Sequence, residues 1–270
     1  MTASIALRPE PSALQQWWVL TVRSIVPTLR NGEWATAIAA SVIFTAGFYI
    51  PLKDFMGAAT HGISSSYAQY LTPLIALQAI SFASISGAFR AATDTAAGIN
   101  RRFGSMPIAA LTPAAARMSA NMYRCVVGLT IALICGYTIG FRFHRGPFYV
   151  VGFCLLVLLV GLVLSSLFDL IGTRIRDPEA TTPLLMLPQL IFGLVSVGIQ
   201  PAEQFPGWIQ PIVRNQPVSQ FIYALRALAG DTTAAAGSPT WSVMTPTYLW
   251  LLGLFVFAVT MSARTASRRP

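Results

Sequence analysis

Few residues in this chain have the type and the spacing that chemistry would require. The two histidines, His61 and His144, stand alone in polar segments, and the three cysteines are spread through apolar segments with no close spacing. This pattern predicts neither a disulfide framework nor a metal site. The sequence also has no Gly-x4-Gly-Lys-Ser/Thr loop, no His-Glu-x-x-His and no Gly-x-Ser-x-Gly. We therefore expect no cofactor on this chain and no hydrolysis of ATP by it.

Two charged residues fall where a membrane would be costly for them. Arg124 begins one long apolar segment, and Asp169 ends the next. A charge at membrane depth costs several kcal/mol unless it has a partner. Antiparallel neighbouring helices would bring the two side chains to one depth, so we predict a structural ion pair, Arg124–Asp169, at the inner rim. Separate snorkelling to water is the alternative, and a charge that moves between transport states is the sharper hypothesis.

A polar stretch, residues 90–107, separates two long apolar segments. As a helix it places Arg101 opposite an apolar strip with i, i+4, i+7 spacing, formed by Ile99, Phe103 and Met106. Pro107 would end this helix, because the residue before a proline is pushed out of the α region. We predict a small amphipathic helix over 91–106 at the membrane surface, where a soluble partner can dock. The alternative is an ordinary basic loop that obeys the positive-inside rule.

The composition is that of a membrane protein. The 270 residues are 54% hydrophobic and 10% charged, whereas a soluble domain has about 25% charged residues. Mean hydropathy is +0.62. Several uncharged segments reach the ~20 residues that a spanning helix needs. They are continuously apolar rather than alternating, which favours helices over a barrel. The predicted fold is a single all-α polytopic membrane domain over 1–270.

The apolar segments predict six transmembrane helices, at 34–52, 70–89, 121–140, 148–168, 182–199 and 245–263. Before them, residues 10–32 carry an amphipathic stripe with paired tryptophans, Trp17 and Trp18. Such a pattern is typical of a helix that lies flat in the headgroup layer. We therefore predict an N-terminal interfacial helix.

The basic residues predict the orientation in the plasma membrane. Thirteen of the 18 arginine and lysine residues fall on the side that holds both termini and residues 90–107. The positive-inside rule makes that side cytoplasmic. The net charge of +9 is spread over loops and forms no patch interleaved with aromatic residues, so nucleic acid is not an expected partner.

An unusual outer segment, residues 200–231, precedes the last predicted span. It contains four prolines with apolar residues between them, and after Pro217 a helical face of Val218, Phe221, Ile222 and Leu225. A free loop this apolar would be poorly soluble. We predict short helices that dip into the outer leaflet and return, which requires packing against protein.

Several blocks of this sequence resemble one family. The blocks are Phe89-Arg-Ala-Ala-Thr-Asp94, Gly98-Ile-Asn-Arg-Arg-Phe103, Ser105-Met-Pro107, Gly140-Phe-Arg-Phe-His-Arg145, the segment 205–220, and Ala224-Leu-Arg226. They are similar to those of the ABC-2 type permeases of the daunorubicin-resistance family. The resemblance covers nearly the whole chain. Many family members carry Arg-Glu ahead of the coupling glycine, where this chain has Ala-Ala-Thr-Asp94.

The resemblance implies partners and a cargo. Such a permease docks on an ATPase subunit of the DrrA kind, which binds ATP and Mg, and pairs with a second six-span permease. Here we expect a heterodimer with a DrrC-like subunit, rather than a homodimer. Membrane lipid would be both its environment and its class of cargo. Family members export hydrophobic drugs such as anthracyclines, or cell-envelope lipids such as phthiocerol dimycocerosates.

The resemblance also implies site residues. The coupling helix that contacts the ATPase would use Asp94, Gly98, Ile99, Arg101, Arg102, Phe103, Met106 and Pro107. The outer gate would use Phe205, Pro206, Trp208, Pro211, Pro217 and Arg226.

Two other functional classes stay open on the residues alone. An ion-coupled secondary carrier usually needs carboxylates or histidines along its path, and four of the six predicted spans carry none. A membrane-embedded enzyme that modifies lipids needs clustered acidic residues or histidines. The nine acidic residues and two histidines of this chain are scattered.

Overall fold

The apolar segments of the chain fold into helices in the computed structural model, which describes residues 12–30, 33–59, 64–106, 108–109, 112–175, 177–232 and 237–266. Those residues form α-helices and one 3₁₀ turn, with no strand among them. The helices are α1 (Ala13–Arg30), α2 (Glu33–Ala59), α3 (Tyr67–Ala96), α4 (Ile99–Gly104), α5 (Thr112–Ile139), α6 (Pro147–Ile175), α7 (Pro178–Leu194), α8 (Gln210–Asn215), α9 (Pro217–Ala229) and α10 (Trp241–Ala266). The 3₁₀ turn is Ala202–Gln204.

Helix α3 lies at the centre of the bundle. Of its most apolar stretch of 18 residues, 89% are buried. The helix packs against α2, α5, α6 and α7. Small residues allow this close packing, as they do in membrane helices generally. A Cβ at Gly172 of α6 would lie 2.3 Å from the carbonyl oxygen of Ala88. Ser84 and Ser165 share a buried hydrogen bond of 3.0 Å between α3 and α6.

Four helices are long and apolar enough to cross a membrane: α3, α5, α6 and α10. They confirm helices at the predicted spans 70–89, 121–140, 148–168 and 245–263. Helices α3, α6 and α10 extend beyond both predicted ends, whereas α5 begins nine residues earlier than predicted and ends at Ile139. Helix α5 already begins at Thr112, with Pro113 in its first turn, where a missing N–H costs nothing. Hydropathy marks the part of a helix inside the lipid and does not mark the more polar turns that continue it.

The other two predicted spans also form helices, although their crossing of the membrane stays a prediction. The segment 34–52 lies within α2, whose 27 residues include Pro51. The segment 182–199 is split, because α7 has 17 residues and ends at Leu194. Turns occupy the residues that follow, up to Gln200.

Helix α1 occupies the described part of the predicted interfacial helix 10–32; residues 10, 11, 31 and 32 lie outside the described ranges. One side of α1 packs against α5, where Trp17 Nε1 donates to Ser119 Oγ at 3.1 Å. The other side exposes an apolar stripe that includes Leu14, Trp18 and Val22. An exposed apolar stripe is what a helix lying in the headgroup layer requires. Its position on the membrane stays a prediction.

The outer segment 200–231 contains the short helical pieces that its prolines predict, namely the 3₁₀ turn, α8 and α9. Pro217 is in the first turn of α9. The apolar face of α9 belongs to the main core, where Phe221, Ile222 and Leu225 are buried. The α9 part of this segment is therefore packed against protein. Its re-entry into the outer leaflet stays a prediction.

Candidate coupling site and gate

The predicted coupling helix over 91–106 is wrong as a single helix. Helix α3 continues to Ala96, and the N–H of Ala97 closes it by donating to the carbonyl of Thr93 at 2.9 Å. The chain then breaks at Gly98, whose φ of 71° is left-handed, a conformation that glycine adopts without steric cost. The six-residue α4 follows. A pattern of apolar spacing does not register such a break, because it counts side chains and not backbone angles.

The predicted apolar strip of the coupling helix is divided between two environments. Phe103 is half-buried, and the guanidinium carbon of Arg23 in α1 lies 5.5 Å from its ring centroid, a cation–π contact. Ile99 is half-buried too. Met106 lies in the bend beyond α4 and is 50% exposed. The strip therefore does not form one docking face.

The remaining predicted coupling residues lie around α4. Arg102 is exposed. The backbone of Arg101 is part of α4, but its side chain lies outside the described part of the structure, as does the whole of Pro107. We call this end of the molecule, with α1, α4 and the adjoining turns of α3 and α5, the α4 end. The exposed side chains available to a partner there include Arg102 and Met106.

Asp94 lies on the last turns of α3, not on α4, and is half-buried. It lines a cavity of about 200 Å³ between α1, α3, α4 and α5. Phe103 and four arginines line the same cavity: Arg23, Arg90, Arg117 and Arg124. The structure thus brings together Asp94 and Phe103, which the sequence placed on one coupling helix, through a cavity that sequence reasoning did not predict.

The predicted ion pair Arg124–Asp169 is wrong in its arginine. Asp169 of α6 pairs with Arg117, through Nε–Oδ1 at 2.9 Å and Nη2–Oδ2 at 3.1 Å. Arg124 instead donates to Asn121 Oδ1 at 2.7 Å and to the carbonyl of Ser24 at 3.4 Å. Arg117 precedes Arg124 by seven residues, which is two helical turns or about 10 Å along α5. The paired carboxylate lies level with the earlier turn.

The sequence prediction did not include Arg117 as a partner of Asp169, because residues 108–117 lay outside the predicted third span, 121–140. Thr112-Pro113, followed by three alanines, is a helix-start signal that would have extended α5 to include this residue. Once Arg117 is on the helix, it faces Asp169 with the same periodicity as Arg124.

At the opposite end of the molecule, Arg226 of α9 connects three parts of the chain. Its Nε and Nη2 donate to the carbonyl of Tyr70 at 3.2 and 2.9 Å, and Nη2 also donates to the carbonyl of Val197 at 2.8 Å. Its guanidinium carbon lies 3.4 Å from the ring centroid of Tyr70. Arg226 thereby holds α9 to α3 and to the turn after α7. We call this end, with α8, α9 and the 3₁₀ turn, the α9 end.

The other predicted gate residues are divided between the core and the surface. Phe205 packs against the main core, and Pro217 begins α9. Trp208 is 77% exposed, and Pro206 and Pro211 are exposed as well. Only Arg226 and Phe205 among them are therefore positioned to hold the α9 end together by contacts on its inner side.

Two buried glutamines, Gln69 and Gln216, also hold the α9 end. Gln69 Nε2 donates to the carbonyls of Arg142 and Gly230 at 2.9 and 2.8 Å, and its Oε1 accepts from the N–H of Arg142 at 3.1 Å. Gln216 Nε2 donates to the carbonyl of Val195. These buried amides stabilise the fold by donating to backbone carbonyls. Nothing in the sequence shows that their side chains make these contacts rather than face water.

The arrangement is suited to holding and moving helices rather than to bond chemistry. Among the described residues, no group of three or more His, Cys, Asp or Glu side chains could hold a metal ion. Arg117 at the α4 end forms an ion pair with Asp169, and Arg226 at the α9 end donates to carbonyl oxygens.

Comparison with known proteins gives the family. The sequence model described as ABC-2 family transporter protein matches residues 35–264. The chain is 54% identical over 260 residues to the doxorubicin resistance ABC transporter permease protein DrrB of Mycobacterium tuberculosis, a match that covers 95% of this chain and 90% of that protein.

Two other relatives are more distant. The probable doxorubicin resistance ABC transporter permease protein DrrC of M. tuberculosis is 27% identical, over 82% of this chain and 76% of its own length. The daunorubicin resistance ABC transporter permease protein DrrB1 of Streptomyces coeruleorubidus is 28% identical, over 68% of this chain and 65% of its own length. The chain therefore belongs to the ABC-2 family, as a membrane-embedded permease subunit whose transporter hydrolyses ATP on a separate subunit.

Proposed function

We propose that this chain is the permease subunit of an ATP-driven exporter that moves a hydrophobic cargo outward across the plasma membrane. The observation that carries the proposal is the identity of 54% with a doxorubicin resistance permease over 95% of the chain. The cargo is a lipophilic drug such as an anthracycline, or a cell-envelope lipid such as phthiocerol dimycocerosate. An apolar cargo partitions into the membrane first, so it would enter the permease laterally from the lipid.

The α4 end is the proposed contact with the ATPase subunit. That subunit, of the DrrA kind, binds ATP and Mg, and α4 rests on it through exposed side chains such as Arg102 and Met106. Helix α4 follows α3 after a two-residue break, and α3 packs against α2, α5, α6 and α7. A displacement of α4 when the ATPase closes would therefore pass directly to the centre of the bundle.

The α9 end is the proposed outer gate. In the arrangement described, Arg226 and Gln216 join α9 and its preceding turn to α3 and to the turn after α7. Outward release of cargo requires these parts to separate. The gate opens when Arg226 leaves the carbonyls of Tyr70 and Val197.

We further propose that the α4 end and both termini are cytoplasmic, and that the active unit is a heterodimer with a DrrC-like permease. The positive-inside rule supports the orientation. The existence of separate DrrB and DrrC permeases in one organism supports the heterodimer.

ATP-dependent export of doxorubicin from vesicles tests this function, with the ATPase and the second permease present. Replacing Arg102 by glutamine and Met106 by serine should abolish export while membrane insertion and basal ATP hydrolysis persist, because the exposed side chains that transmit closure are lost. The control is Phe148→Ser, which removes an exposed apolar side chain as Met106→Ser does, but at the start of α6. Normal export by the double variant would overturn the coupling role of α4. Absence of ATP-dependent export by the unmodified complex, with lipid cargo as well, would overturn the exporter itself.

A further inference from the structure

The cavity at the α4 end has an excess of positive charge. It is lined by Arg23, Arg90, Arg117, Arg124 and Asp94. Asp169, outside the lining, pairs with Arg117. The described charges of this group therefore comprise four arginines and two aspartates. Neither the docking of an ATPase on α4 nor the gate at the α9 end makes use of them.

Two of the guanidinium groups are fixed in place by other contacts. Arg124 is 7% exposed, and its hydrogen bonds to Asn121 and to the carbonyl of Ser24 orient it between α5 and α1. Arg23 stacks over the ring of Phe103. A planar guanidinium that is already oriented loses little entropy when it binds, and its fork of donors matches the oxygens of a phosphate.

The position of the cavity indicates how a phosphate would reach it. Arg23 belongs to α1, the helix whose apolar stripe of Leu14, Trp18 and Val22 is exposed. Acyl chains that cover this stripe belong to lipids whose headgroups lie beside the same helix. Arg23 follows Val22 and lines the cavity, so a headgroup beside α1 would lie next to the cavity lining.

We propose that this cavity binds the phosphate group of an anionic phospholipid, held between α1, α3 and α5 next to the coupling helix α4. The bound lipid would join α1 to the end of the bundle that α4 occupies. The group that the cavity recognises is the phosphate, so free inorganic phosphate is a second possible ligand. The experiment below distinguishes it from the lipid headgroup.

Native mass spectrometry of the detergent-purified chain tests the proposal. The chain is titrated with phosphatidylglycerol, with phosphatidylcholine and with inorganic phosphate. The variant Arg23→Gln/Arg90→Gln should bind phosphatidylglycerol at least about tenfold more weakly, since two charge-assisted hydrogen bonds are lost. The matched control Arg174→Gln/Arg264→Gln removes the same charge from exposed positions outside the cavity lining and should change the affinity less than about twofold.

The outcomes separate the possibilities. Equal losses in the two double variants, or no loss in the first, would overturn the cavity as a site. Equal binding of phosphatidylcholine would overturn the requirement for an anionic lipid. If inorganic phosphate displaces phosphatidylglycerol at millimolar concentration, the proposed lipid source is overturned and the site takes free phosphate; without displacement, the lipid is the ligand.

A charge-preserving variant controls for misfolding. Arg23→Lys/Arg90→Lys keeps the positive charges without the planar forks and should bind phosphatidylglycerol more tightly than the glutamine variant but less tightly than the unmodified chain, whereas a merely structural defect would not be rescued. The measurement needs neither the ATPase nor a cargo. Its failure would therefore leave the proposed export function untouched.

Discussion

Two ion pairs, Arg117–Asp169 and Arg214–Glu203, differ in their surroundings. The side chains of Arg117 and Asp169 are 20% and 13% exposed, whereas those of Arg214 and Glu203 are 50% and 66% exposed. Removing one partner of a buried pair leaves an unpaired charge in a poorly solvated place, which is costly. An exposed pair loses little, because water replaces the partner.

Arg117→Gln should therefore lower the free energy of unfolding by about 1.5–3 kcal/mol, the range for hydrogen bonds to charged groups, because the pair is partly buried. The matched change Arg214→Gln should cost less than about 1 kcal/mol. Equilibrium unfolding of the detergent-solubilised chain measures both values. Adding Asp169→Asn to Arg117→Gln should recover part of the loss, since no charge is left unpaired. Equal costs for the two single variants would contradict the structural role of this pair.

Asp231, between α9 and α10, should make the stability of the folded chain depend on pH. Burial alone would raise its pKa, but hydrogen bonds from Ser65, Ser64 and Thr232 outweigh burial and hold the pKa of Asp231 below its ordinary value of 3.8. A carboxyl whose pKa is lowered in the folded state stabilises it fully above the unfolded pKa. That contribution is lost as the pH falls through the lower, folded value.

Asp231→Asn should consequently lower the melting temperature at pH 7, where the carboxylate accepts from the N–H of Ser65 at 2.7 Å. The difference from the unmodified chain should shrink as the pH falls below about 4. Melting curves of both chains over pH 3–7 check the trend. A difference that stays constant over this range would show that charge is not the stabilising property.

At the scale of elements, the close packing of α3 depends on residues without side chains. A Cβ at Gly172 would meet the backbone carbonyl of Ala88 at 2.3 Å, and backbone cannot move aside as a side chain can. A Cβ at Gly253 of α10 would meet nothing within 4 Å.

Gly172→Leu should therefore force α6 away from α3 and sharply reduce the yield of folded protein, by a clash of the kind that costs 1–3 kcal/mol or more in packed cores. Gly253→Leu should behave like the unmodified chain. Size-exclusion profiles of both proteins after mild extraction provide the comparison. Similar monodisperse yields from the two variants would contradict the packing of α6 on α3.

The attachment of α9 at the opposite end makes a further prediction. Arg226→Gln removes donors to two backbone carbonyls, and hydrogen bonds from charged groups are worth about 1.5–3 kcal/mol each. Amide hydrogen exchange in α9 should accelerate by at least about tenfold. Arg214→Gln, at an exposed position in α8, should leave α9 unchanged. Unaltered exchange after Arg226→Gln would show that this arginine does not hold the gate segment.

The sequence predicted which segments are helical more successfully than where the helices end. Long uncharged runs identify α3, α5, α6 and α10, because lipid requires backbone polar groups to be paired within a helix. The break at Gly98 and the start at Thr112 depend on local backbone conformation, to which hydropathy is insensitive. Because the start of α5 was predicted too late, the predicted ion pair used Arg124 instead of Arg117. The cavity at the α4 end combines residues from α1, α3, α4 and α5, and no single-sequence pattern brings those together.

At the scale of the whole molecule, α3 connects the two proposed working ends. Tyr70, near its beginning, accepts from Arg226 of α9, and Asp94, near its end, lines the cavity beside α4. Thirty residues of α-helix extend about 45 Å, which is the full thickness of a bilayer with its headgroups. A single rigid element therefore reaches from the proposed ATPase contact to the proposed gate.

Co-purification from the native membrane tests the central claim, that α4 couples this permease to an ATPase. Mild extraction of the tagged chain should bring with it a subunit that contains a phosphate-binding loop. Arg102→Gln/Met106→Ser should lose that subunit, while Arg214→Gln/Phe148→Ser, changes at exposed positions outside the α4 end, should retain it. A permease that purifies alone under gentle extraction, or an ATPase retained by the α4 variant, would contradict the account.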